Sequence, residues 1–275
     1  MKKICILGLL VLSSLELLAQ VNTEIYRPSN RKQGYIGQIR ASLSLNRGNR
    51  QNDIFSGSFR NSFVYKRHLI FSTASYVFGQ TRRTDGSTDV FRRIGFLYGK
   101  YNYAIDRDSA NRWSLEIFGQ NEVNEFIRLQ NRNLGGIGLH FDVVNVPQKV
   151  SLAIGSSLMY EFEQVKEDER DLVYPSQTNF WRWNNYMSCT YTINQKNRTF
   201  LSLVAYLQPA FYDINNERSF NLTENYRFLM NVNLRTAITK LFSFGMSLNY
   251  RHASFIQNFL VKDDLFLRSN LTMNF

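Results

Sequence analysis

Three histidines, His68, His140 and His252, are the side chains best suited to proton transfer near neutral pH. A membrane-embedded lipid hydrolase would need one of them beside an outward-facing serine, with an acid or amide to orient the ring. No histidine here has that setting. The nearest fragment is "HFD", which places His140 two residues from Asp142. A histidine satisfied by its neighbours is the better reading, so no catalytic residue is assigned and the chain is not expected to be an enzyme. The two cysteines, Cys5 and Cys189, and the scattered histidines do not form a metal-ligand set. No metal or cofactor is therefore expected. "LGGIG" at 134–138 lacks the helix that a phosphate loop needs and reads as a bend or bulge.

Charge is the more informative chemistry. Lysine and arginine number 33 against 22 acidic residues, for a net charge of +11. Many of these cations fall at every second position among apolar residues. In "YRFLMNVNLRT", Tyr226, Phe228, Met230, Val232 and Leu234 alternate with Arg227, Asn231, Asn233 and Arg235. A period of two marks a strand with one apolar and one polar face. The same alternation runs through "YIGQIRASLSLN", "VSLAIGSSLMYEFE", "FWRWNNYMSCTYTI", "FSFGMSLNYR" and the C-terminal "LFLRSNLTMNF".

These segments are too long for a soluble sandwich, whose strands run about 5–6 residues. About twelve segments read this way, with cores at 35–46, 53–66, 69–80, 89–104, 112–122, 126–144, 150–164, 179–193, 199–212, 224–238, 241–253 and 264–275. Those at 69–80 and 89–104 alternate poorly. Short connections such as "KRH", "NQKN" and "TK" trade places with longer polar ones such as "VKEDERDLVYPSQT" and "YDINNERSFNLT". The expected fold is all-β: a transmembrane antiparallel up-and-down β-barrel of about twelve strands. A sheet in lipid must close on itself, so the last strand should pair with the first.

Arginine facing lipid at the midplane costs about 2–4 kcal/mol. The alternation therefore turns the charges inward. The expected lumen set is Arg40, Arg60, Lys100, Glu116, Arg128, Arg132, Asp142, Glu161, Glu163, Arg182, Arg227, Arg235, Arg251 and Arg268. Ten basic and four acidic residues make either an anion-preferring conduit or a plugged interior of paired charges. Twelve strands lie between the filled barrels of roughly eight strands and the open porins of roughly sixteen. Strand number does not choose between the two; a filled or narrowly open interior is favoured.

"MKKICILGLLVLSSLELLA" has the layout of a secretory leader, with cleavage expected after Ala19. The expected organisation is a leader at 1–19, a periplasmic segment at 20–34 and the barrel at 35–275. An exported barrel of this kind belongs in the Gram-negative outer membrane with both termini periplasmic. Its expected partners are outer-membrane lipids and the outer-membrane insertion machinery, which would read terminal Phe275 as an assembly signal. A monomer is expected, and no nucleic-acid partner.

Particular stretches resemble a known family. "SLSLNRGNRQND", the Arg132, Gly136 and Gly138 spacing in "NEFIRLQNRNLGGIGLHFDV", "LAIGSSLMYEFE" and "LQPAFYD" are together similar to the outer-membrane family typified by the salt-induced outer membrane protein. The resemblance runs from about Tyr35 to Phe275. It implies a barrel and no particular activity. The expected function is a non-enzymatic narrow channel or structural envelope protein; the alternative is a lipid hydrolase of the outer-membrane phospholipase type.

Overall fold

The computed structural model describes residues 33–46, 51–82, 87–105, 112–146, 148–166, 175–195, 198–239, 241–256 and 261–273. The expected leader, nearly all of the segment expected to follow it, and Phe275 lie outside these residues. The strands are β1 (Gly34–Asn46), β2 (Gln51–Tyr65), β3 (His68–Arg82), β4 (Thr88–Ala104), β5 (Trp113–Asn124), β6 (Leu129–Val146), β7 (Val150–Val165), β8 (Gln177–Asn194), β9 (Thr199–Asp213), β10 (Arg218–Ser219), β11 (Tyr226–Ala237), β12 (Phe242–Ala253) and β13 (Asp263–Met273). β10 is a two-residue extension paired with β9; the other strands form one antiparallel up-and-down sheet in chain order. One 3-10 turn, Glu125–Ile127, joins β5 to β6. Among the described residues no helix is long and apolar enough to cross a membrane, which says nothing about crossing by strands.

Long alternating segments become long strands because each can bury one face while its backbone bonds to both neighbours. Strand ends set two ends of the sheet. Short turns join β2 to β3, β6 to β7 and β8 to β9 at the turn end. The β7–β8, β9–β11 and β12–β13 connections lie at the other, the loop end.

The sheet is strongly curved. Adjacent strands stand about 4.8 Å apart, so β5 and β8 would be about 14 Å apart if it were flat. Yet the Tyr186 hydroxyl of β8 donates to Glu116 Oε1 of β5 at 2.6 Å. Likewise Arg227 on β11 reaches Glu163 on β7 at 3.2 Å. Among the described residues no ladder joins β1 to β13, so the expected first-to-last pairing is not seen there. Every residue of β1 is exposed.

The interior is polar and the exterior apolar, the reverse of a water-soluble domain. Ile39, Leu43, Phe55, Ile70, Leu97, Ile117, Ile137, Ile154, Trp183, Leu207, Met246 and Leu267 are all exposed. Lys100, Glu116, Glu122, Arg132, Glu161, Glu163, Arg182 and Arg227 are buried.

β3 and β4 explain their own weak alternation. Their inward residues Leu69, Phe71, Phe96 and Tyr98 are apolar or aromatic and cluster with Val64, with Phe118 packed against them. Both faces there carry apolar residues, so the sequence lacks contrast.

Candidate functional site: the filled interior

Two polar clusters occupy the concave face. Toward the loop end, three guanidiniums interleave with three carboxylates. Arg132 leaves β6 just after the 3-10 turn. Its Nε lies 2.7 Å from Glu163 Oε2 and 3.4 Å from Glu161 Oε1, and its Nη1 lies 3.3 Å from Glu122 Oε2. Glu161 and Glu163 project from the last turn of alternation in β7, and Arg182 from the start of β8. Glu161 is fully buried and also pairs with Arg182 and Arg227. Arg182 spends its other donors on the Gln208 carbonyl at 3.1 Å and Asn225 Oδ1 at 3.0 Å.

Desolvating any one of these ions costs several kcal/mol, which only close, fully bonded partners offset. The interleaving supplies them: each carboxylate touches at least one guanidinium, and Glu161 touches three.

Toward the turn end lies a second, differently built cluster. Lys100 Nζ stands 2.8 Å from Glu116 Oε2 and 4.8 Å from the Tyr186 ring centroid. Asn102 donates to Glu116 Oε1 at 3.0 Å. His140 Nδ1 is 2.7 Å from the Tyr186 hydroxyl, and its Nε2 is 2.9 Å from Asp142 Oδ1. Both ring nitrogens are thus engaged, and the side chain has no exposed surface.

Two glycines make the packing possible. A Cβ on Gly155 would lie 2.2 Å from the Tyr186 ring, and one on Gly138 would lie 2.3 Å from Ser157 Cβ. Register shifts in β6 fall at Leu129/Asn131 and Asp142/Val144, not at the glycines of 134–138. The bulge reading of "LGGIG" is therefore corrected. Gly136 and Gly138 clear room for Phe118 and for Ser156 and Ser157 on β7.

Between the clusters is a cavity of about 30 Å³, lined by Tyr98, Lys100, Phe118, Gln120, Leu134, Met159, Asn184, Tyr186, Tyr206, Gln208 and Leu229. A void of this size has room for about two waters. Gln120 Nε2 is buried there without a hydrogen-bond partner. Among the described residues no group of three or more His, Cys, Asp or Glu side chains is placed to hold a metal.

A family model described as "Protein of unknown function, DUF481" matches residues 39–275. The chain belongs to this family. No curated protein matches it. Two solved structures resemble the DUF481 chain in outline. The NanC porin in a rhombohedral crystal form is 15% identical, with a TM-score of 0.43, over 88% of this chain and 99% of that one. A bacterial polysaccharide outer-membrane secretin is 8% identical, with a TM-score of 0.41, over 87% and 89%. No residue role passes from either.

In this DUF481 chain the predicted interior residues separate into groups. Lys100, Glu116, Arg132, Asp142, Glu161, Glu163, Arg182 and Arg227 are buried and meet in the two clusters. Arg251 and Arg268 are half-buried, and Arg40, Arg60 and Arg235 are exposed. Their registers put all five on the concave face: Leu229, which is buried, pairs with Arg251, and Thr73, also buried, with Arg60.

Arg128 departs from expectation. It is not on a strand but follows the 3-10 turn in a left-handed conformation, φ 56°. The Asn124 side chain accepts the Phe126 N–H at 3.2 Å and starts that turn, which breaks the segment read as continuous over 126–144. Phe275 lies outside the described residues.

Sequence reasoning missed Glu122 and Tyr186. Glu122 has the same parity as Glu116 and was legible by counting. Tyr186 was not, because an aromatic at an inward position gives no sign of a hydroxyl that bridges three strands.

Proposed function

We propose that this chain is a non-enzymatic outer-membrane β-barrel that serves as a narrow, anion-preferring channel, with β1 and β13 meeting in the inserted state. One observation carries the proposal: buried charges fill the concave face while large apolar side chains cover the convex one. That polarity suits a lipid surround and a restricted bore. The two clusters hold nearly balanced charge, so they narrow the passage without selecting strongly. The remaining inward arginines supply the excess positive charge. The finer likeness to the salt-induced outer membrane protein belongs to the same proposal, as do periplasmic termini, a monomeric state and reading of Phe275 by the insertion machinery. His140 weighs against the hydrolase reading, because both its nitrogens are engaged on the side away from lipid.

The experiment is reversal potential in a planar bilayer under a potassium chloride gradient, on protein whose folding is shown by heat-modifiable gel migration. Anion selectivity supports the channel. Cation selectivity overturns it, absence of conductance in folded protein leaves a structural role, and lipid turnover lost in His140→Ala would reinstate the hydrolase.

A further inference from the structure

The concave face is not filled evenly. From β4 to β9 it carries the clusters and aromatic side chains just described. From β11 through β12 and β13, and on β1 and β2, most of its inward positions are small or polar, with Leu229, Phe266, Ile36 and Ile54 among the large apolar ones. On β12 they are Ser243, Gly245, Ser247 and Asn249, with Asn231 and Asn233 opposite on β11. On β1 and β2 they include Ser42, Ser56 and Ser58. Guanidiniums are spaced along this same arc at different heights. Arg251 lies near the loop end of β12, opposite Asp264, and Arg268 lies near mid-strand, opposite Ser247. Arg40 lies mid-strand on β1, and Arg235 pairs with Gly245 toward the turn end.

From this placement, and resting on the channel reading above, we propose that permeation follows one lane along the β11–β13 and β1–β2 arc. Its cargo is small oxyanions, carboxylate or phosphate, handed between Arg251, Arg268, Arg40 and Arg235. The clustered arc is wall, not pathway. Two physical reasons converge. Short serine and asparagine side chains leave cross-section that tyrosine and phenylalanine fill on the other arc. A guanidinium offers paired N–H donors that fit two oxygens of a carboxylate or phosphate, a fit chloride does not reproduce. Spacing the guanidiniums along the bore gives several moderate sites rather than one trap, which conduction requires.

The test is single-channel recording on the full mature chain, with the Cys189→Ser change as background. Potassium acetate and inorganic phosphate are each added to a chloride-carrying channel in separate arms. At millimolar concentration either oxyanion should reduce chloride current, and the arm with the stronger effect names the preferred headgroup. Arg251→Gln with Arg268→Gln should lower the anion-to-cation permeability ratio severalfold and relieve the block. Ser247→Cys should react with an aqueous charged thiol reagent and lose current, whereas Ser157→Cys, on the wall, should not react. An anion-selective parent whose selectivity and block survive both arginine changes overturns the lane but leaves the channel standing. So does a reactive Ser157→Cys beside an inert Ser247→Cys. A cation-selective or silent parent overturns the channel itself, and the lane with it.

Discussion

The two arcs of this one sheet use arginine in opposite ways. Across β6 to β11, Arg132, Arg182 and Arg227 are buried against Glu122, Glu161 and Glu163. Farther along, Arg235, Arg251, Arg268, Arg40 and Arg60, of the same facing, are half-buried or exposed. Alternation alone makes all of them inward. What separates them is reach rather than direct register: only Arg132 lies opposite Glu163, and curvature brings Glu161 and Glu163 of β7 to Arg182 and Arg227 as well. A buried guanidinium that carboxylates from more than one strand can reach is locked into the structure.

The largest effect expected from breaking this contrast is Glu161→Gln. It leaves three guanidiniums around a neutral amide. Removing one partner of a buried ionic group costs about 3–5 kcal/mol. Thermal unfolding, read by loss of heat-modifiable migration, should shift to clearly lower temperature. Arg40→Gln on the other arc, at an exposed position, should fall within about 0.5 kcal/mol of the parent. Equal destabilisation by the two changes would erase the distinction between the arcs.

Glycine substitutions sharpen it at smaller scale. Gly138→Ala forces a Cβ against Ser157 and the Ser156 carbonyl, each 2.3 Å away. Overpacking of that kind costs about 1–3 kcal/mol. Gly99→Ala meets nothing within 4 Å and should be neutral or slightly stabilising, because glycine within a strand is itself unfavourable. Urea-induced unfolding in detergent, comparing the two variants with the parent, checks both. A third change, Tyr186→Phe, removes a hydroxyl that touches both Glu116 and His140 and should cost about 1–3 kcal/mol. A neutral outcome would mean that the turn-end cluster does not hold β5, β6 and β8 together.

Most of the fold was legible because a period of two survives wherever one side of a strand is polar. The twelve long segments match twelve strands within a few residues, and Glu161, Arg182 and Arg227 follow from parity alone. Legibility failed where that contrast vanished. Leu69, Phe71 and Phe96 face inward yet are as apolar as the outward Ile70 and Leu97, so β3 and β4 gave no clear facing. It failed again at Asn124, where a side-chain cap starts a turn inside an apparent strand and carries Arg128 out of the wall. Pairing was the third gap. The sequence names Arg132 and Glu163 as inward but does not say that curvature also brings Arg227, three ladder steps away, to the same carboxylate.

The smallest effect is expected at the mouth, where charge is paired but not buried. Asp263 begins β13 at the loop end, and its carboxylate accepts from the Tyr250 hydroxyl at 2.6 Å and lies 2.8 Å from His252 Nδ1. The Tyr250 hydrogen bond, followed by that of His252, holds its carboxyl below the ordinary carboxylate value. A lowered value in the folded state means that the unfolded chain binds the proton more readily. The contribution to stability is therefore complete above the ordinary aspartate value of about 3.9, and it fades as pH falls through the lowered one. Solvent screens the group, so Asp263→Asn should barely alter stability at neutral pH and should flatten only a shallow acid limb. Carboxyl chemical shifts followed against pH in the refolded protein read the site directly. A midpoint at or above the ordinary value would show that Tyr250 and His252 do not hold Asp263 as drawn, and this end of the sheet would then add nothing to the contrast between buried and solvent-facing charge.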